Sequence, residues 1–307
     1  MKYEKIELKV PGQQTGPAVL TAYMQDALSI APKKKRPVVI VVPGGGYEMC
    51  SDREKEPVAL RFMAMGYHAC TLDYSVAPNR FPVALQELAL AVALIRQRAG
   101  QWHVDPHKVF VCGFSAGGHL TCSLGTLWDR DFVWKPVWEI LNSGGRKALS
   151  GGPEGDWGKS EVLPGPDAPE NQAAASIRPD GLILCYPVIT SGEYRHQGSF
   201  RNLLGAEADQ EQMELLSLEN QVSSSIPPVF LWHTVEDRSV PVENSLLLAL
   251  ALRRAGISFE MHLYPKGAHG LSLAIEETAG SRENSVEPSC QNWISLVQSW
   301  LERLCDH

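Results

Sequence analysis

Ser115 lies in Gly113-Phe-Ser-Ala-Gly117, directly after the apolar run Lys108-Val-Phe-Val-Cys112. A buried-strand pattern that breaks into G-x-S-x-G makes a sharp strand-to-helix turn, which lifts a serine hydroxyl above the end of a sheet. Small residues suit that turn because it is strained and because the following helix packs closely on the strand. A serine so placed can attack a carbonyl carbon if a base takes its proton and an acid orients the base. Both have candidates. Asp237 sits in Glu236-Asp-Arg-Ser-Val-Pro241, shortly after the apolar run Val229–His233 and just before a helical pattern. His269 sits in Lys266-Gly-Ala-His-Gly270, after a strand pattern ending at Tyr264, where flanking glycines permit a tight, exposed turn.

Each of these has an ordinary alternative. An Asp before a helix is commonly only an N-cap, and Glu236 stands beside it as a competitor. His269 is one of nine histidines. What selects the set is the order Ser, acid, His, with the last two on loops after successive strands. Acyl transfer also needs donors for the oxyanion that forms on attack. The run Gly44-Gly45-Gly46 after strand Val38–Val42 offers N–H groups with no side chains in the way, and the N–H of Ala116 adds another. The run is not a phosphate loop. It lacks the lysine of G-x-x-x-x-G-K-[ST], and Met49 breaks G-x-G-x-x-G. Tyr47, His119, Tyr194 and His196 are candidate substrate contacts, each equally readable as a packing or surface residue. No histidine pair has H-E-x-x-H spacing, so neither a metal nor an organic cofactor is expected.

Strand and helix patterns alternate around these motifs. Strands are expected at Arg36–Val42, His68–Tyr74, Lys108–Cys112, Gly181–Tyr186, Pro228–Trp232 and Phe259–Tyr264, with helices at about 52–65, 84–98, 242–255 and 290–304. That alternation predicts an α/β fold: a mainly parallel central sheet of about eight strands with helices on both faces. Ile6–Val10 and Val19–Met24 read as an antiparallel lead-in hairpin. Residues 1–307 are expected to form one domain. The stretch 128–178 breaks the rhythm, being rich in Gly, Pro, Ser and Asp and holding Trp128, Trp134, Trp138 and Trp157. It reads as an inserted, cap-like segment over the rim of the site.

At 44% apolar and 21% charged residues, the composition is that of a globular protein. A net charge of −7 argues against nucleic acid and anionic membrane as partners. The amino terminus has no signal-peptide h-region, and the apolar stretch Leu88–Ile95 is too short to span a bilayer. Seven cysteines, an odd number without a C-x-x-C pair, point to a reducing cytoplasm.

Taken in order, Pro43-Gly-Gly-Gly-Tyr47, Leu72-Asp-Tyr-Ser-Val-Ala-Pro78, Phe81-Pro82, Trp102 with Val104-Asp-Pro106, and Gly113-Phe-Ser-Ala-Gly-Gly118 resemble the α/β-hydrolases related to hormone-sensitive lipase. Gly113–Leu120, Pro187-Val-Ile-Thr190, His233-Thr234 and His269-Gly270 are most similar to the bacterial acetyl-esterase and acetylxylan-esterase-like branch. The resemblance covers about residues 35–125 and 180–272. It implies the α/β-hydrolase fold, with Ser115 as nucleophile, His269 as general base and acid, Asp237 orienting His269, and Gly45, Gly46 and Ala116 as oxyanion donors. One departure stands out. The related lipases usually open the glycine loop with His, and here Pro43 takes that place, so the loop must be held differently.

A serine esterase acting on short acyl groups, including acetyl groups on sugars, is the leading expectation, with a small-molecule or oligosaccharide ester as partner. Two alternatives compete: a serine peptidase of the prolyl-oligopeptidase type, and a hydrolase-fold protein that binds a ligand without turnover.

Overall fold

The computed structural model describes residues 1–142, 149–150, 163–164, 168–282 and 285–305. Its strands are β1 (Lys2–Leu8), β2 (Ala18–Met24), β3 (Arg36–Val42), β4 (His68–Asp73), β5 (Val104–Phe114), β6 (Leu149–Ser150), β7 (Gly181–Cys185), β8 (Val229–Thr234) and β9 (Phe259–Tyr264). Its helices are α1 (Glu56–Ala64), α2 (Val83–Gln97), α3 (Ala99–Trp102), α4 (Ala116–Leu127), α5 (Asp131–Asn142), α6 (Glu170–Ala175), α7 (Gln197–Leu204), α8 (Gln210–Leu215), α9 (Glu243–Arg254), α10 (Glu276–Ala279) and α11 (Trp293–Cys305). The strands form one nine-stranded sheet in the order β6-β1-β2-β4-β3-β5-β7-β8-β9. From β4 to β9 all neighbours are parallel, whereas β1 pairs antiparallel with both β2 and β6.

Burial on both faces explains the near-continuous Val and Ile of the central strands. In β3, Val38, Ile40 and Val42 pack with α2 and α4, while Val39 and Val41 pack with α1 and α11 on the opposite face. Leu182, Leu184, Val229 and Leu231 meet α9 and Cys122 of α4. Each fully buried side chain of this size contributes roughly 1.5–3 kcal/mol. Because the strands run parallel, their carboxyl ends lie together, and there an open sheet collects ligands. Ser115 follows β5, and the loops bearing Asp237 and His269 follow β8 and β9.

Helices α3, α5, α6, α7, α8 and α10 were not expected, and α5 and α7 show why. α5 lies in the segment read as an insertion and contains Pro136, which cannot donate to the Phe132 carbonyl. The Gln86 amide on α2 donates to that carbonyl instead, at 2.8 Å. Val133, Trp134 and Val137 are buried on this helix, and Trp128 and Trp138 pack against the same core. Trp157 lies outside the described residues. α7 starts with Gln-Gly, a poor helix opening, but His196 caps it by accepting the Ser199 N–H. Among the described residues no helix is long and apolar enough to cross a membrane.

Candidate active site

Ser115 joins β5 to α4 with φ 52° and ψ −117°, outside the regions open to an L-residue. Packing holds it there: its N–H donates to the Cys185 carbonyl, and its own carbonyl accepts the N–H of Val188 and of His119. Gly117 permits the close approach of helix to strand. A Cβ at that position would lie 2.3 Å from the carbonyl oxygens of Val42 and Pro43.

The Ser115 Oγ stands 2.7 Å from His269 Nε2, and His269 Nδ1 stands 2.6 Å from Asp237 Oδ2. Of the two neighbouring acids, Glu236 is exposed and Asp237 is buried. The other oxygen of Asp237 accepts the N–H groups of Ser239 and Val240, each at 2.9 Å. Burial pushes this carboxyl up, but hydrogen bonds from His233 and His269, the His269 charge and the Val240 N–H together hold it well below the usual carboxylate range. His233, marked in the sequence only as part of the His233-Thr234 resemblance and given no role there, lies beside Asp237. Its Nδ1 meets Ser245 Oγ at 2.7 Å, while its Nε2 lies 2.9 Å from the Val240 carbonyl and 3.3 Å from Asp237 Oδ2. Two acceptors at Nε2 assign the proton there, so His233 donates towards Asp237.

The segment bearing His269 is tied down on several sides. Thr234 Oγ1 donates to the Gly267 carbonyl at 2.9 Å, and Arg53 donates to the carbonyls of Gly270 and Thr278. The Tyr186 ring meets the imidazole edge-on, with centroids 5.2 Å apart.

The glycine loop passes over Ser115. A Cβ on Gly44 would sit 2.9 Å from the Ser115 Cβ. Gly45 adopts φ +127°, and a Cβ there would meet the Met49 carbonyl oxygen at 2.1 Å, so only glycine fits. In place of the histidine expected from related lipases, Tyr74 Oη donates to the Pro43 carbonyl at 2.9 Å, and the Gly44 N–H donates to the buried Glu54 carboxylate at 2.8 Å. Asn202 Nδ2 donates to the Gly46 carbonyl at 2.9 Å. Among the described residues the N–H groups of Gly45, Gly46 and Ala116 have no acceptor.

The four expected substrate contacts separate. Tyr47 and His119 are buried and bond each other, Tyr47 Oη to His119 Nδ1 at 2.9 Å, while His119 Nε2 donates to the Leu216 carbonyl. Burial pushes His119 down to about 4, so it is neutral. With Val188, Ser199, Phe200 and Leu203 they pack around a gap with no room for a water molecule. His196 lies beside the glycine loop, its Cε1 3.9 Å from the Cβ position of Gly46. Its Nδ1 accepts the Ser199 N–H, so in the neutral ring Nε2 carries the proton. Burial and the nearby His269 charge push its pKa down, against the Asp237 charge. Tyr194 is half-buried, and its carbonyl accepts from Asn244 Nδ2. A broader cleft of about 800 Å³ borders His269, with Glu236, Arg238, Ser239, Lys266 and Glu287 among its lining residues. Among the described residues no group of three or more His, Cys, Asp or Glu could hold a metal ion.

Comparison with known proteins places this arrangement. Residues 27–143, with the glycine loop and Ser115, match the family described as BD-FAE, and residues 187–284, with Asp237 and His269, match the prolyl oligopeptidase family. The crystal structure of an acetyl ester-xyloside bifunctional hydrolase from Caldicellulosiruptor lactoaceticus is 36% identical. It aligns with a TM-score of 0.73 over 97% of this chain and 92% of that one. The chain belongs to the α/β-hydrolase esterases. Two further relatives of this esterase-family chain are longer proteins. Endo-1,4-beta-xylanase B of Butyrivibrio fibrisolvens is 38% identical over 79% of this chain and 34% of that protein. The acetylxylan esterase of Xylanibacter ruminicola is 26% identical over 84% of this chain and 45% of that protein. The chain thus spans less than half the length of either.

Proposed function

We propose that this chain hydrolyses carboxylic esters of short acyl groups, with acetylated sugars as the substrate class, through an acyl-enzyme at Ser115. The reading rests on the continuous run of hydrogen bonds from Ser115 Oγ through the His269 ring to Asp237. Ser115 Oγ attacks the ester carbonyl carbon while its proton passes to His269 Nε2. Asp237 holds the opposite N–H of the ring and stabilises the imidazolium. The oxyanion develops against the N–H groups of Gly45, Gly46 and Ala116, where one well-placed donor contributes about 3–4 kcal/mol. The C–O bond to the alcohol then breaks, and His269 gives its proton to the departing oxygen. Water, deprotonated by His269, attacks the acyl-enzyme; acid is released and Ser115 regains its proton.

Short acyl groups suit a site where Tyr47, His119, Phe200 and Leu203 are packed together and leave no open channel for a long chain. The alcohol must lie on the His269 side, since His269 protonates it, and the charged, hydroxyl-bearing cleft there suits a sugar. His196, whose Cε1 lies 3.9 Å from the Gly46 Cβ position, is the candidate to donate from Nε2–H to a further substrate oxygen. Two of the similar proteins bear names for acetyl-ester or acetylxylan-ester hydrolysis.

A panel of p-nitrophenyl esters, acetylated xylo-oligosaccharides and aminoacyl p-nitroanilides tests this. Acetyl is expected to exceed octanoyl by about 100-fold or more in kcat/KM, because even one or two methylenes without room cost about tenfold each. Release of acetate from the xylo-oligosaccharides should also be efficient. The match of residues 187–284 to the prolyl oligopeptidase family motivates the anilides. Preference for anilides over acetyl esters would replace this reading with a peptidase.

A further inference from the structure

Glu54 is a buried carboxylate, 3% exposed, in the single 3-10 turn Asp52–Glu54 that follows the glycine loop. It touches none of the reacting groups described above, yet both of its oxygens are committed. Oε2 accepts the Gly44 N–H at 2.8 Å, and Oε1 accepts the Tyr186 hydroxyl at 2.6 Å. The Tyr186 oxygen in turn accepts the Ser272 N–H at 2.8 Å, three residues beyond His269. Ser272 is fixed twice more: its hydroxyl donates to the Arg53 carbonyl at 2.6 Å, and its carbonyl accepts Trp293 Nε1–H at 3.0 Å. One carboxylate therefore links the loop that carries Gly45 and Gly46 to the segment that carries His269.

A charged acceptor is costly to bury, and it persists only where good donors meet it. Here the donors belong to two separate segments whose relative placement decides whether oxyanion donors and general base face the same carbonyl group. The distances are short enough for this coupling to matter, since the Cβ position of Gly44 is 2.8 Å from Glu54 Oε2 and 2.9 Å from the Ser115 Cβ. The Gly44 N–H is thereby turned away from the substrate, leaving Gly45 and Gly46 to point their donors elsewhere.

We propose that Glu54 is a positioning residue for the oxyanion hole: through Gly44 and Tyr186 it sets the glycine loop in register with Ser115 and His269. This rests on the esterase reading of the same site. The account applies equally to acylation and deacylation, since both pass through an oxyanion.

The test compares wild type with E54Q, E54L and Y186F. Rates are taken per active site, titrated with a fluorophosphonate so that misfolded protein is not counted. The second readout is inhibition by a trifluoromethyl ketone, whose hemiketal oxyanion occupies the hole. Gln keeps one acceptor and a side chain of the same shape; Leu removes both acceptors and strands two buried donors. We expect kcat/KM on p-nitrophenyl acetate to fall about 10-fold in E54Q and about 100-fold in E54L, by the reasoning that a misplaced oxyanion donor costs up to 10²–10³. Affinity for the ketone should fall by the same factors. Y186F, which keeps the Gly44 contact, should lose less than E54L. If E54L fails to fold, E54Q and Y186F carry the comparison. Ketone affinity and per-site kcat/KM within twofold of wild type in E54Q and Y186F would overturn the role of Glu54, as would a rate loss with ketone affinity unchanged. Wild type that does not react with the fluorophosphonate at Ser115 overturns the esterase reading itself, and with it this one.

Discussion

Replacing Ser115 with Ala leaves ester hydrolysis at least about 10⁴-fold below wild type, because no other oxygen stands at His269 Nε2 to attack the carbonyl. The loss is in kcat. Substrate still binds, since the glycine loop keeps its own supports through Asn202 and Tyr74. Initial rates at saturating p-nitrophenyl acetate measure it; residual activity within about tenfold of wild type would exclude Ser115 as nucleophile. The companion variant S115G separates function from stability. At φ 52° a residue with a Cβ is strained by roughly 1–3 kcal/mol. Glycine relieves that strain but costs about 0.5–1 kcal/mol in backbone entropy. S115G should therefore be inactive yet more stable than wild type by about 1 kcal/mol in urea denaturation. The site holds its nucleophile in place against the preference of the local backbone.

Asp237→Asn is expected to cost about 10³-fold or more in kcat, and the surrounding donors dictate why. The N–H groups of Ser239 and Val240 require an acceptor at the Oδ1 position, so the amide oxygen of Asn is drawn there. Its NH₂ then occupies the Oδ2 position and donates to His269 Nδ1. That assigns the ring proton to Nε2, where it opposes the Ser115 hydroxyl instead of accepting from it. His233 Nε2–H also loses one of its two acceptors. The pH dependence of stability follows from the same contacts. The Asp237 carboxyl titrates lower in the folded chain than in the unfolded one, where it lies near 3.9. Its stabilising contribution is thus complete above about pH 4 and is withdrawn as the pH falls further. The difference in denaturation midpoint between wild type and D237N should be constant above that point and shrink below it. A difference that grows on acidification would contradict the assignment of Asp237 as the buried anion.

Much of this architecture is legible in the sequence because it is carried by local pattern. Strands buried on both faces leave continuous runs such as Val38–Val42, and a strand followed by glycine, serine and glycine leaves a motif. Asp237 is selected over its neighbour Glu236 by its place in the order and by the family resemblance; the difference in burial between the two shows only in the structure, since adjacent residues carry no periodicity that reveals it. Glu54 lies in Ser51-Asp-Arg-Glu-Lys-Glu-Pro57, where a buried acid looks like its solvated neighbours. Its partners, Gly44 and Tyr186, come from distant segments, and backbone donors leave no mark in sequence. His233 is visible in its motif, but its contacts with Asp237 and Ser245 are not. Tyr47 and His119 illustrate the opposite limit: their proximity to the motifs is readable, but their bond to each other depends on side-chain direction. α5 escaped notice because its proline argues against a helix, and the compensating donor, Gln86, lies on another element. Replacement of the usual histidine by Pro43 is likewise answered by residues remote in sequence, Tyr74 and Glu54.

The most direct test of the central claim is to catch the acyl-enzyme. Rapid acid quenching during turnover of p-nitrophenyl acetate, followed by peptide mass analysis, should find one acetyl group on Ser115, formed in the burst of p-nitrophenol release and absent from S115A. Turnover with no acetyl group on Ser115 at any quench time, or an acetyl group on another residue whose loss abolishes activity, would contradict it.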